Sequence, residues 1–371
     1  MNQPSRFAPS FQPQATPLTL NYRLPAEWET HEATWLAWPH QEDNWHDLEA
    51  VQDIFLEIIQ LISVNEKICL LVNDAESEQI VKQQLINRRV LMTQIKFLRI
   101  PTCDVWMRDY GPNFLVKSGQ SSQNKLAANR WIFNAWGGKY DTHRLDDLAS
   151  QAIIQALGIQ TFETGMILEG GSIDGNGDGT LLTTEQCLLN PNRNASFTRE
   201  QIELRLKYFL AARHMIWLGT GIAGDDTDGH VDDIARFVGL RTVICMTEQD
   251  PLHPNYKPLQ DNLQRLRLAK DANGEELHVI ELPMPESIRP ASKWQADWPQ
   301  GPRFLPASYA NFYIANRTVL VPIFGDSFDE HALGILQKVF PDRKVRGIRA
   351  DELIYGLGGI HCVTHEQPAI P

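Results

Sequence analysis

Ala235-Arg-Phe-Val-Gly-Leu-Arg-Thr242-Val-Ile-Cys245, then Leu259, Leu263 and Leu266 at helical spacing, then Leu277-His-Val-Ile280, reads as strand, strand, helix, strand. The unit recurs along the chain. Asn311-Phe-Tyr-Ile314 and Thr318-Val-Leu-Val-Pro322 precede a stripe of Ala332, Ile335, Leu336 and Val339 and a strand from Val345 to Ile348. Upstream, Val51, Ile54, Phe55, Ile58 and Ile62 lead to Ile68-Cys-Leu-Leu-Val72, and Leu145, Leu148, Ala149, Ala152 and Ala156 mark a second helix. Thr198 and Gln201, in capping-box positions, open a third helix with Ile202, Leu206, Phe209 and Leu210, before Met215-Ile-Trp-Leu218. Five such units suggest an α/β ring whose last strand joins the first unit. An ordinary doubly wound α/β sheet answers to the same periodicity.

Composition bounds what the chain can do. With 371 residues, 43% hydrophobic and 22% charged, it can bury a large core, and no apolar run approaches membrane length. Residues 1–24, rich in Pro, Gln and Ser, read as a flexible tail ahead of a single domain over 25–371. They show neither the basic start nor the apolar stretch of a secretory signal, so the expected compartment is cytoplasmic. Cys69, Cys103, Cys187, Cys245 and Cys362 form no Cys-x-x-Cys pair, and Cys69 and Cys245 read as small buried hydrophobes. A net charge of -12 argues against a nucleic-acid partner and gives weak support to a cationic one.

Cys362 differs from the other cysteines because it follows the glycine-rich run Tyr355-Gly-Leu-Gly-Gly359, where little side-chain bulk obstructs access. A thiol there, with His230, Asp232, Asp109 and Glu169 upstream, could grip a planar guanidinium and attack its central carbon. Histidine supplies the group that titrates near neutrality, and carboxylates bind the in-plane NH groups. If the segment from Gly229 to Phe237 is extended, His230 and Asp232 share one face, and the same alternation turns His361 away from that of Cys362. Each feature also has a plainer reading: a structural cysteine, a surface His-x-Asp pair, a salt-bridged Asp109, a turn at Glu169.

A competing motif runs from Asp174 to Glu185 and satisfies the calcium-loop pattern D-x-[DN]-x-[DN]-G-x5-E. The strand-like Met166-Ile-Leu168 before it and Thr180-Leu-Leu-Thr183 after it favour a β-hairpin over a helix-flanked loop.

Taken together, Trp106-Met-Arg-Asp-Tyr-Gly-Pro112, Phe133-Asn-Ala-Trp-Gly-Gly138, Leu168-Glu-Gly-Gly-Ser172, Asn190-Pro-Asn-Arg-Asn194, Asp226-Thr-Asp-Gly-His-Val-Asp232, Asn311-Phe-Tyr-Ile-Ala315 and Ile360-His-Cys362 resemble the ordered motifs of the agmatine deiminase family, which includes bacterial peptidyl-arginine deiminases. The resemblance covers about Pro25 to Pro368. It implies the pentein α/β propeller, five ββαβ modules around a pseudo-fivefold axis, with no metal and no organic cofactor. It further implies Cys362 as nucleophile, His230 as general acid/base with Glu169 orienting it, Asp109 and Asp232 on the guanidinium, and Trp106 as a channel wall. The reaction would convert agmatine and water to N-carbamoylputrescine and ammonia.

Leu357 and Gly359 depart from the Gly-Gly-Gly-Asn that usually precedes Ile-His-Cys in this family, in a loop bordering the substrate tail. The expected partner is a small cationic guanidino compound, with no nucleic acid and no membrane, and with self-association as a homodimer allowed. Peptidyl-arginine deimination or amidino transfer from the same intermediate is the alternative chemistry. A non-catalytic calcium-binding or ligand-sensing protein is the alternative class.

Overall fold

The computed structural model describes residues 15–117, 125–141, 143–286, 288, 290 and 303–370. Their strands form five separate sheets, not one continuous doubly wound sheet.

In the fourth unit, Ala235–Phe237 pairs antiparallel with Thr242–Thr247, helix Tyr256–Leu268 follows, and His278–Pro283 returns parallel to Thr242–Thr247. Leu259, Leu263 and Leu266 are buried, as their spacing predicts. The fifth unit repeats this order with Tyr313–Ile314, Thr318–Ile323, helix Asp329–Val339 and Lys344–Arg349. The second runs through Asn113–Lys117, Leu126–Ile132, helix Arg144–Leu157 and Gln160–Ile167. The third uses Ile173–Gly175, Thr180–Thr184, helix Arg199–Leu210 and His214–Leu218. The expected capping box is present, with Thr198 and Gln201 each bonding the other's backbone N–H.

The first unit closes differently. His31–Ala37 and Lys67–Val72 lie parallel, joined by helix Leu48–Ile62, and the antiparallel neighbour of His31–Ala37 is His365–Pro368 from the far end of the chain. That helix is capped by Asp47, whose side chain accepts from Ala50 N at 3.0 Å, and buries Val51, Ile54, Phe55, Ile58, Ile59 and Ile62. Each such side chain contributes about 1.5–3 kcal/mol by leaving water.

Three expectations shift. In helix Arg144–Leu157 the buried stripe is Ala149, Ile153 and Ile154, while Leu145 and Leu148 face outward. Leu145 and Leu148 keep helical spacing with Ala149, Ala152 and Ala156, and that spacing alone does not separate their face from the one that carries Ile153 and Ile154. The Asp174 segment does form a hairpin, but its first arm is Ile173–Gly175, since Met166 and Ile167 belong to strand Gln160–Ile167 of the neighbouring sheet. Of the expected tail, residues 1–14 lie outside the described residues, and the rest is anchored. Tyr22 is buried, and Tyr22–Arg23 pairs with Asn113–Lys117.

No helix among the described residues is long and apolar enough to cross a membrane.

Short turns lead into the antiparallel strands and position the site. Met107–Tyr110 precedes Asn113–Lys117, Gly170–Ser172 precedes Ile173–Gly175, Val231–Asp233 precedes Ala235–Phe237, and Ile360–Val363 precedes His365–Pro368. Met107–Tyr110 packs on both Ile360–Val363 and Gly170–Ser172, and the latter on Val231–Asp233, so side chains from four sheets meet.

Candidate active site

Two of these turns, Met107–Tyr110 and Ile360–Val363, contribute to a cavity of about 660 Å³ lined by Cys362, Asp109, Trp106, Trp136, Tyr140, Asp43, Asp146 and Asp226. Trp106 packs on Trp45 with ring centroids 5.7 Å apart. Gly358 has no room for a side chain, because a Cβ there would overlap the Trp106 ring, and one on Gly359 would overlap Asn311.

Cys362 lies in the turn Ile360–Val363, 5% exposed. Its Sγ is 3.2 Å from the donating Nδ2 of Asn311 and 3.9 Å from Asp232 Oδ2. Asn311 Nδ2 also donates to Asp233 at 2.9 Å, and Asn311 Oδ1 accepts from His361 N at 2.9 Å. One amide therefore ties the nucleophilic turn to the acidic one. Burial pushes the Cys362 thiol well up, and the charges of Asp232, Asp233 and Asp109 add to it.

Asp109 is held from two sides: Trp136 Nε1 donates to Oδ2 at 2.9 Å and Gly171 N to Oδ1 at 3.1 Å. Burial raises its carboxyl to about 7, with the Glu169 charge contributing. A Cβ on Gly171 would lie 2.6 Å from His230 Nδ1, 2.9 Å from Asp109 Oδ1 and 3.0 Å from Asp232 Oδ2. That glycine marks where three site residues converge.

His230 and Asp232 do approach one another's surroundings, but not by strand alternation. His230 caps the one-turn helix Val231–Asp233, and the strand begins only at Ala235. The expectation of an extended segment fails because the chain coils before it pairs. Both His230 ring nitrogens are buried without a hydrogen-bond partner, with Nδ1 3.6 Å from Asp109 Oδ1. Burial, with help from the Arg193 and Lys139 charges, holds the His230 pKa well below the usual imidazole range, so the ring is neutral.

Glu169 is bonded to Arg193 rather than to His230: Arg193 Nε donates to Oε1 at 2.7 Å, leaving Oε2 buried and unpartnered. Burial raises the Glu169 carboxyl, with Arg193 opposing. Arg193 continues to Asp228 at 2.6 Å. Ligand atoms of Glu169, Cys187 and His230 lie within 4.8 Å of one another, the one grouping among the described residues that could share a metal ion. The Arg193 guanidinium on Glu169 and the strongly raised Cys187 thiol both oppose a cation there.

His361 lies in the helical turn Ile360–Val363 and not in a strand, so the alternation expected to part it from Cys362 is absent, and both side chains reach Asp232 Oδ2. Its Nδ1 is 2.7 Å from Asp232 Oδ2 and its Nε2 2.8 Å from Glu27 Oε2. Of the calcium-loop residues, Asp174 bonds Arg236 at 2.6 Å and Phe237 N at 2.8 Å, Asn176 accepts from Asp178 N and Thr180 N, and Glu185 pairs with Arg199 and Arg265. These oxygens serve the hairpin and its neighbours.

The cavity thus brings Cys362, Asp109 and Trp106 to one surface, with Asp232, His230 and Glu169 fully buried behind it. The reading of the residues missed Asn311, Trp136, Arg193 and Glu27. The first three lie inside the quoted motifs, while Glu27 carries no local signal.

The model of the Porphyromonas-type peptidyl-arginine deiminase family matches residues 23–368. An agmatine deiminase of Medicago truncatula is 37% identical over 375 residues, covering 96% of this chain and 98% of its own. The solved agmatine deiminase of Enterococcus faecalis superposes with TM-score 0.86 at 36% identity, covering 95% of this chain and 98% of its own. An agmatine deiminase of C. jejuni with substrate bound gives TM-score 0.82 at 30% identity, covering 94% and 96%.

Proposed function

We propose that this chain, which belongs to the Porphyromonas-type peptidyl-arginine deiminase family, hydrolyses agmatine to N-carbamoylputrescine and ammonia. The observation that carries this reading is a single cavity exposing a thiol beside buried carboxylates that no cation neutralises from the cavity side.

Asp109 and Asp232 bind the guanidinium, and its positive charge offsets the carboxylates that raise the thiol, so the substrate promotes ionisation of Cys362. Neutral His230 accepts the thiol proton. The Cys362 Sγ–carbon bond forms, His230 returns the proton to one nitrogen, and the carbon–nitrogen bond breaks to release ammonia. Water then attacks the amidino-thioether, His230 takes its proton and returns it to the sulfur as the carbon–sulfur bond breaks, and the excess proton of the new urea passes to solvent. Glu169, fixed by Arg193, keeps negative charge near the imidazole in its protonated form. Trp106 walls the cavity.

Acidic residues among those lining the cavity favour an amine tail. Asp146 is raised by burial to about 8 and Asp104 to about 6, so both ionise more readily beside an ammonium, and no lysine or arginine stands among the described residues lining the cavity to meet a carboxylate. The pentein arrangement, five ββαβ modules about a pseudo-fivefold axis, goes with this activity. It is supported by five sheets that each combine an antiparallel and a parallel pair, read as one domain that takes in the anchored segment from Thr16.

A panel of agmatine, free arginine and an arginine-containing peptide, with products identified by mass, tests the reading. Turnover of agmatine alone is expected. Preferred turnover of the peptide, or transfer of the amidino group to an added amine, would replace it with the alternative chemistry.

A further inference from the structure

His361 stands between two carboxylate oxygens, and a neutral ring between two ionised carboxylates cannot make both of its hydrogen bonds. Nδ1 is 2.7 Å from Asp232 Oδ2 and Nε2 is 2.8 Å from Glu27 Oε2. A neutral imidazole has one N–H to donate, and an ionised carboxylate can only accept. Two contacts this short, buried at 2%, 0% and 9% exposure, require one proton more than a neutral ring between two anions provides. That proton sits either on Asp232 or on His361.

The charges around the triad decide which. On the Glu27 side, Arg236 Nη2 lies 2.8 Å and Arg108 Nη2 3.4 Å from the same Oε2, and Arg236 also bonds Asp174 while Arg108 bonds Glu366. Glu27 is thereby kept anionic, well below the usual carboxylate range although burial alone would raise it. It holds the Nε2–H. On the Asp232 side stand the acids Asp109 and Asp225, and Arg236 and Arg108 oppose them without forming an ion pair with Asp232. Burial and those acids drive Asp232 up against the opposing arginines, while burial and the same two arginines drive His361 down, and with Asp232 outside ion-pair reach of either guanidinium this places the proton on Asp232 in the empty site. Asp232 Oδ1, the oxygen left for a ligand, is buried with no partner.

We propose that Glu27 and His361 form a proton store for Asp232: when a guanidinium cation binds, the Asp232 O–H breaks, His361 Nδ1–H forms, and the cation meets an anion without any proton leaving the protein. The proton moves within a 2.7 Å hydrogen bond, and the imidazolium it creates stays bonded to anionic Glu27. Product release reverses the shift. His361 is a positioning residue in this account, acting on substrate through Asp232, and the account rests on Asp232 being a guanidinium ligand as proposed above.

Histidine-labelled protein carrying Cys362→Ala, which cannot turn over, is the material for the test. In the empty protein, nitrogen NMR should show His361 protonated at Nε2 alone, and agmatine or guanidinium chloride should convert it to the doubly protonated ring. Calorimetry of agmatine binding at pH 8, in buffers of different ionisation enthalpy, should show about one proton more released per ligand for Cys362→Ala/His361→Gln than for Cys362→Ala alone. Its agmatine affinity should then fall about tenfold per unit of pH lowered.

A doubly protonated His361 in the empty protein, or a ring unchanged by a bound cation, overturns the proposal. Equal proton release by the two proteins does the same. Binding of guanidinium chloride but not agmatine, with the proton shift intact, would uphold the store while rejecting the substrate assignment.

Discussion

Glu27 and Asp232 are bonded to opposite nitrogens of one imidazole, yet their surroundings shift them in opposite directions. Glu27 lies among Arg236 and Arg108 and is pulled well down, whereas Asp232 has acids for neighbours and is pushed well up. Both are buried, so desolvation acts on both, and the difference is that Arg236 and Arg108 form ion pairs with Glu27 but not with Asp232. The lesson is that the cavity side lacks one cation of the kind that the protein itself supplies a few ångströms away. The missing charge is that of the ligand.

The comparison breaks first at the thiol. Cys362→Ala should lower kcat by at least about 10³-fold while leaving the urea midpoint where it was, because the side chain acts on the ligand and not on the ion web. Measured ammonia release from agmatine settles it, and retained turnover would remove Cys362 from the chemistry.

On the other side of His361, Arg236→Met should cost about 3–5 kcal/mol of unfolding free energy, since Glu27 and Asp174 would lose their principal partner inside the fold. A loss below 1 kcal/mol, on the order of an exposed pair, would show that these acids are already neutral.

Asp109→Asn should leave stability level or higher and raise KM for agmatine about 10- to 100-fold, the value of a hydrogen bond to a charged group. The pH dependence sharpens the same point. An acid whose folded pKa rises to about 7 holds its proton more tightly than in the unfolded chain, so it favours folding below that pH and opposes it above. Cation binding needs the anion and so should strengthen as pH rises toward about 7 and then level off. An affinity flat from pH 5 to 8 would contradict this.

The smallest effect belongs to the hairpin. Asp178→Ala removes exposed contacts to Arg213 and Asn273 and should change stability by no more than about 0.5 kcal/mol, with or without added calcium. A calcium-dependent rise in melting temperature would revive the loop as a metal site.

How far the amino-acid order disclosed this arrangement follows from the range of the forces involved. Units such as Thr242–Thr247, helix Tyr256–Leu268 and His278–Pro283 are legible because apolar spacing within a dozen residues decides them. Helix Ala75–Asn87 was not read, since only Val81 and Leu85 of its residues are buried and no stripe announces it. Cys362, His230 and Asp109 were found through chemistry and motif, but the geometry joining His230 to Asp232 was misread, because a one-turn helix leaves no period to detect. Glu27 could not be found at all: it meets His361 across 334 positions, and only the folded packing pairs them.

Strand His365–Pro368 completes the sheet of His31–Ala37, and Cys362 stands three residues ahead of it. The other four sheets are each built from strands nearer to one another in sequence, so this pairing has the longest loop to close. Seating of the sulfur beside Asp232 and Asn311 therefore depends on a pairing between stretches more than 300 positions apart, a contact of long sequence range that forms slowly.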